Sequence, residues 1–180
     1  MNPPLILLVE DSPDDVFFLK RALRHAQVEA DLRVVSNGRE AQEYLSGQAP
    51  YNDRRKHPPP WLVLLDLRMP LMSGLEVLAW IRSRPDLAAL SVIVLTSSLE
   101  DSEMQRTFEL GVVSYLVKPP TAEMVEKAFR FLRQNQPALA KNRSAVEAGA
   151  EPFGNGIVLW FTLAAVVIAA AAFVAILLSK

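Results

Sequence analysis

The stretch Trp61-Leu62-Val63-Leu64-Leu65-Asp66-Leu67-Arg68-Met69-Pro70-Leu71-Met72-Ser73-Gly74 decides the fold. Its first five residues form an unbroken apolar run, the pattern of a strand buried on both faces of a parallel sheet. Asp66 ends the run, and Pro70, Ser73 and Gly74 supply turn chemistry after it. A carboxylate at the carboxyl end of a central strand stands where open α/β sheets place their ligands. A second apolar run, Leu5-Ile6-Leu7-Leu8-Val9, ends on Glu10 and Asp11. Three carboxylates gathered at one sheet edge repel each other, and such a group calls for a divalent cation.

Outward from these two runs, strand and helix signals alternate. Strands are predicted over 5–9, 31–36, 61–66, 91–96 and 113–117, and helices over 13–26, 38–46, 75–83, 101–110 and 121–134. The first helix has a clear start: Ser12 caps, Pro13 suits the first turn, and Asp14 and Asp15 face the positive end of the dipole. Val16, Leu19, Leu23 and Ala26 mark its buried face. Residues 47–60 form a loop holding Arg54-Arg55-Lys56, His57 and three successive prolines, and read as solvated. Five β–α units imply an α/β fold, a five-stranded doubly wound parallel sheet with helices on both faces. Periodicity alone does not give the strand order.

Composition narrows the chemistry. The 180 residues carry a formal net charge of −1, so no basic excess points to nucleic acid. Cysteine is absent, which excludes disulfides and thiolate chemistry, and two histidines cannot build a multi-histidine metal site. The N-terminus has no basic segment ahead of its short apolar run and does not read as a secretory signal. Residues 157–178 (IVLWFTLAAVVIAAAAFVAILL) hold no charge and no proline. In a helix they would span roughly 33 Å, enough to cross a bilayer. The expected organisation is a domain over 4–135, a linker over 136–156 and a transmembrane helix over 157–178.

In a parallel sheet the carboxyl ends of all strands lie on one side. That brings Glu10, Asp11, Asp66, Thr96 and Lys118 together: hard-cation ligands, a nucleophile, a hydroxyl donor and an ammonium. Phosphoryl transfer asks for little more than alignment and charge neutralisation. Asp66 suits the nucleophile of such a transfer, with Mg²⁺ as the cation.

Val9-Glu10-Asp11, Leu65 to Gly74, Leu95-Thr96-Ser97 and Val117-Lys118-Pro119 resemble the response-regulator receiver domain of two-component signalling. Thr96 follows Asp66 by 30 residues and Lys118 follows Thr96 by 22, which fits that family's layout. The resemblance covers residues 4–135. Glu10-Asp11-Ser12-Pro13-Asp14-Asp15 and the long loop at 47–60 look like the single-domain subgroup that partners phytochrome-type kinases. The resemblance implies a flavodoxin-like sheet of order 2-1-3-4-5 and Asp66 as phosphoacceptor. It implies Mg²⁺ on Asp11, Asp66 and the backbone carbonyl of Arg68, with Glu10 assisting. Thr96, Ser97 and Lys118 would contact the phosphoryl group, Tyr115 would be the aromatic switch, and the Lys118–Pro119 bond would be cis.

The expected function is therefore a phosphorelay response regulator. A histidine kinase or phosphotransfer protein supplies the phosphoryl group, and the surface near residues 99–121 changes for a downstream protein. Such a chain is a phosphoacceptor rather than an enzyme acting on a separate substrate. The alternative is a membrane-tethered interaction scaffold that uses the fold without phosphorylation. An aspartyl phosphohydrolase of the haloacid-dehalogenase type expects an acid two residues after the nucleophile, where Arg68 stands. The expected location is a bacterial inner membrane, with the domain on the cytoplasmic side. Ala165, Ala169 and Ala172 offer a small-residue face for a homodimer through the tail, and monomer and dimer both stay open.

Overall fold

The computed structural model describes residues 3–97 and 102–147, with side chains in the second stretch over 105–135. Strands and helices alternate: β1 Leu5–Val9, α1 Pro13–His25, β2 Asp31–Val35, α2 Gly38–Ser46, β3 Leu62–Asp66, α3 Gly74–Ser83, β4 Ser91–Thr96, α4 Ser102–Glu109, β5 Ser114–Val117 and α5 Ala122–Glu147. All strand pairs are parallel, in the order β2-β1-β3-β4-β5. The sheet is the α/β, flavodoxin-like one that the resemblance implied.

The strands form where the side chains demand burial on both faces. Every residue of β1 and β3 is buried, and only Ser91 of β4 is partly open. β2 lies at the edge and carries a mixed pattern, with Arg33 paired to Asp31 at 3.0 Å. Alternate strand positions, Leu7, Val63, Leu65 and Val94, pack with Ala41, Val77, Leu78 and Ile81 on one face. The positions between them, Ile6, Leu8, Leu64 and Ile93, together with Leu116, pack with Leu19, Leu23, Val125, Phe129 and Leu132 on the other. Burying each such aliphatic side chain contributes about 2 kcal/mol, so the alternation locks the register.

Strand order reverses between β1 and β3. Val9 pairs with Leu65, so Glu10 and Asp66 emerge side by side at the switch point, where this topology opens a crevice.

Residues 47–60 are solvated in part, as expected, with Arg55 and Lys56 largely exposed, but Arg54 and His57 are held against the domain. α2 ends on Gly47 at φ 68°, and Arg54 lies over that glycine. Its guanidinium donates to the carbonyls of Tyr44 (2.8 Å) and Leu45 (2.7 Å) and so caps the helix. His57 stacks edge-on against Tyr44 and Tyr51, at 6.0 and 5.2 Å between ring centres.

α5 also differs from its expected extent. It continues to Glu147 through Pro137, where an irregular linker was expected from residue 136. The rest of that linker (148–156), the predicted span (157–178) and residues 98–101, the last three of which open the predicted switch surface, lie outside the described residues. Among the described residues, no helix is long and apolar enough to cross a membrane.

Candidate functional site

β3 delivers Asp66 to the carboxyl edge, where its side chain is buried. The chain then turns tightly enough that the Gly74 N–H donates to the Leu67 carbonyl at 3.0 Å. A Cβ at Gly74 would stand 2.0 Å from the Asp66 carbonyl oxygen, so only glycine fits at the start of α3. The helix opens with a complete capping box between Ser73 and Glu76. Met69 in the same loop is buried and Arg68 is exposed. The base of Asp66 is thus fixed by backbone packing on one side and a capped helix on the other.

β1 supplies Glu10, also buried, and the exposed Asp11 beyond it. Ligand oxygens of Glu10, Asp11 and Asp66 all lie within 4.8 Å of one another. Three hard carboxylate donors at this separation fit a divalent cation of the Mg²⁺ or Mn²⁺ kind, which takes oxygen ligands and keeps waters. Burial pushes the Glu10 carboxyl above its usual range, partly offset by the Lys118 ammonium and the Ser12 N–H, while Asp66 raises it further.

β5 supplies the counter-charge. The Lys118 N–H donates to the Thr96 carbonyl at 2.8 Å, which ties the residue after β5 to the end of β4. The Lys118 ammonium meets Glu10 Oε2 at 2.7 Å, Asp15 Oδ2 at 3.0 Å and Asp66 Oδ1 at 3.1 Å. The Glu10 contact is an ion pair without hydrogen-bond alignment. Burial alone would lower the Lys118 pKa, but Glu10, Asp15 and Asp66 outweigh it and raise it. The ammonium therefore stays charged throughout the neutral range. The Lys118–Pro119 peptide bond is cis.

Thr96 is buried at the end of β4, in register with Val117, and Ser97 after it is exposed. Tyr115 pairs with Val94 and packs in the same apolar layer, so Thr96 and Tyr115 share one face of the sheet by strand alternation. The Tyr115 hydroxyl lies 3.1 Å from the Thr107 hydroxyl of α4, and burial raises its pKa.

All the sequence-derived site residues except Tyr115 thus fall at or just beyond the carboxyl ends of β1, β3, β4 and β5, and Tyr115 lies within β5, one layer below. Asp15 was read only as a favourable charge at a helix start. Its contact with Lys118 spans 103 residues of sequence, and no local pattern announces it.

A family model of the response regulator receiver domain matches residues 6–130, which contain every one of these side chains. The chain belongs to the response-regulator receiver family. It is 39% identical over 118 residues to the response regulator Rcp1 of Synechocystis sp. (strain ATCC 27184 / PCC 6803 / Kazusa), covering 65% of this chain and 78% of that one. The Mn(2+)-bound structure of Rcp1 superposes with a TM-score of 0.58 at 33% identity, covering 76% of this chain and 95% of the other. The bacteriophytochrome response regulator RtBRR gives a TM-score of 0.66 at 31% identity, with coverage of 82% and 95%. The phosphorylated cyanobacterial phytochrome response regulator RcpA gives 0.59 at 30% identity, with coverage of 74% and 92%. This receiver domain is accordingly a two-component signalling module, similar to regulators associated with phytochromes.

Proposed function

We propose that Asp66 accepts a phosphoryl group from a histidine kinase or phosphotransfer protein and that the modified domain switches the binding of a downstream protein. The observation that carries this reading is the buried Asp66 carboxylate held 3.1 Å from an ammonium and beside two further carboxylates with cation-binding spacing. An Asp66 oxygen attacks phosphorus as the bond to the donor's leaving group breaks, and the electron pair leaves with that group. Lys118 and the Thr96 hydroxyl offset charge on the transferring oxygens. Glu10, Asp11, Asp66 and the Arg68 carbonyl would hold Mg²⁺, which supplies charge neutralisation and alignment when bound. The Mn(2+)-bound Rcp1 and the phosphorylated RcpA support this assignment by similarity.

Thr96 and Tyr115 convert the chemistry into a surface change. A shift of Thr96 toward the phosphoryl group opens room on the face it shares with Tyr115, and Tyr115 exchanges its Thr107 partner on α4 for an inward position. The kinase partner is of the phytochrome-associated type, in keeping with RtBRR and RcpA. Residues 157–178 tether the domain to the cytoplasmic side of a bacterial inner membrane, and their alanine face supports a homodimer.

The test uses the full chain in detergent micelles with Mg²⁺ and acetyl phosphate, read by intact mass. The expected result is one phosphoryl adduct on the wild type and none on Asp66→Asn. An unmodified wild type, with acetyl phosphate and with purified histidine kinases alike, would overturn the reading.

A further inference from the structure

We propose that Asp15 is a positioning residue for phosphoryl transfer, acting through Lys118. The inference rests on Asp66 being the phosphoacceptor and adds a residue to that machinery.

Two helix N-termini resolve the same capping problem differently. In α3, the third helical residue, Glu76, folds back on its cap and accepts from the Ser73 N–H at 2.8 Å and the Ser73 hydroxyl at 2.7 Å. Asp15 occupies the same position in α1, and its own N–H donates to the Ser12 hydroxyl at 3.3 Å. The Ser12 N–H, however, is already taken by Glu10 Oε1 at 3.1 Å. Glu10 thus does the work that a third-position acid does in a capping box. The Asp15 carboxylate is released from the helix end and reaches Lys118 Nζ at 3.0 Å.

That contact completes the surroundings of the ammonium. A lysine head group has three N–H donors on a flexible four-carbon stem. Here it faces three carboxylates, Glu10, Asp15 and Asp66, at 2.7, 3.0 and 3.1 Å, and its side chain is only 11% exposed. Asp15 accepts a hydrogen bond from the ammonium, Glu10 flanks it as an ion pair, and the head group stands 3.1 Å from Asp66 Oδ1. During transfer the Asp66–phosphorus bond forms while the donor's phosphorus–oxygen bond breaks. Lys118 contacts the moving oxygens and gives up no proton. Without Asp15 the head group keeps its charge but loses one of the two anchors that fix its direction. Asp15 lies outside the Glu10–Asp11–Asp66 group, so its removal leaves the cation ligands intact.

The experiment compares full-length wild type, Asp15→Asn and Asp15→Ala in detergent micelles. Three quantities are measured: the maximal rate of phosphorylation by acetyl phosphate, Mg²⁺ affinity by calorimetry, and the rate of Lys118 acylation by acetic anhydride without phosphodonor. Asp15→Ala is expected to lower the maximal rate about 10- to 100-fold, leave Mg²⁺ affinity unchanged and speed Lys118 acylation. Asp15→Asn keeps a carbonyl acceptor and recovers most of the rate and of the protection. Wild-type rate and wild-type acylation in Asp15→Ala would overturn the inference, as would a rate loss that follows weakened Mg²⁺ binding. A wild type that takes no phosphoryl group would sink the phosphoacceptor reading instead. The acylation rates would still show whether Asp15 holds Lys118.

Discussion

At the scale of single residues, the site depends on close approaches that backbone atoms cannot relax. Gly74 is the clearest case. Its missing Cβ would face the Asp66 carbonyl oxygen at 2.0 Å and Leu67 Cα at 2.8 Å. Neither neighbour is the flexible end of a side chain, so even an alanine must push the loop away from β3. Gly74→Ala is expected to cost about 2–4 kcal/mol in urea unfolding and to slow phosphorylation of Asp66 as the loop shifts. Wild-type stability in that variant would show that the turn has slack that this geometry denies. The same scale explains what was legible in advance. Asp66, Glu10, Asp11, Thr96 and Lys118 each end an apolar strand, so the strand pattern and the parallel topology together place them at one edge. Asp15 follows from no periodicity, because its role depends on which acceptor the Ser12 N–H takes.

At the scale of elements, apolar runs buried on both faces marked β1, β3 and β4 to within a residue, since no other placement satisfies them. The segments that sequence misread are those whose partners are remote. The loop at 47–60 is fixed by Arg54 on the end of α2 and by the Tyr51 hydroxyl, which donates to Glu40 Oε1 at 2.5 Å. Neither contact leaves a local signature, and a charged, proline-rich stretch reads as solvated. α5 was expected to stop at residue 134, yet it runs through Pro137, and the alanines, leucine and charged residues after that proline are good helix formers and carry it to Glu147. The Tyr51–Glu40 bond gives a pH-dependent prediction. Burial raises the Glu40 pKa, but the Tyr51 and Ser36 donors outweigh this and hold it below its usual 4.5. A depressed folded value means stability that is present above pH 4.5 and lost as pH falls through the folded value. Tyr51→Phe should therefore be less stable than wild type by about 1–2 kcal/mol at neutral pH, with the gap closing in acid. A gap that persists unchanged at low pH would assign the loss to packing against Tyr44 and His57 instead. α3 is held by a different device. Arg82 donates to the carbonyls of Leu110 (2.7 Å), Ala88 and Leu90 (both 3.0 Å) and Gly111 (3.1 Å), and burial lowers its pKa to about 10. Arg82→Met strands those acceptors and should lower stability by roughly 3 kcal/mol in chemical denaturation. A smaller loss would mean that water replaces the guanidinium.

At the scale of the whole molecule, the question is what a signalling domain gains from residues 157–178. A phosphorylated receiver free in solution meets its partners by three-dimensional diffusion. One held at a surface meets partners on the same surface at a higher effective concentration, set by the connecting segment. The tether proposed here rests on an uncharged, proline-free stretch of twenty-two residues, of which the thirteen Ile, Val, Leu and Phe favour transfer into hydrocarbon. Lys141 and Arg143 precede it and Lys180 follows, a slight charge bias toward a cytoplasmic domain. The expected outcome in bacterial cells is that the full chain resists carbonate extraction and floats with membranes, while a chain ending at Glu147 stays in the supernatant. External protease should spare residues 1–156 in intact cells and digest them only after the inner membrane is opened. Soluble full-length protein after carbonate would remove the tether, and digestion before the inner membrane is opened would reverse the orientation. Either result leaves the phosphoacceptor chemistry untouched, because Asp66, Lys118 and the carboxylates around them all lie within the matched receiver region of 6–130.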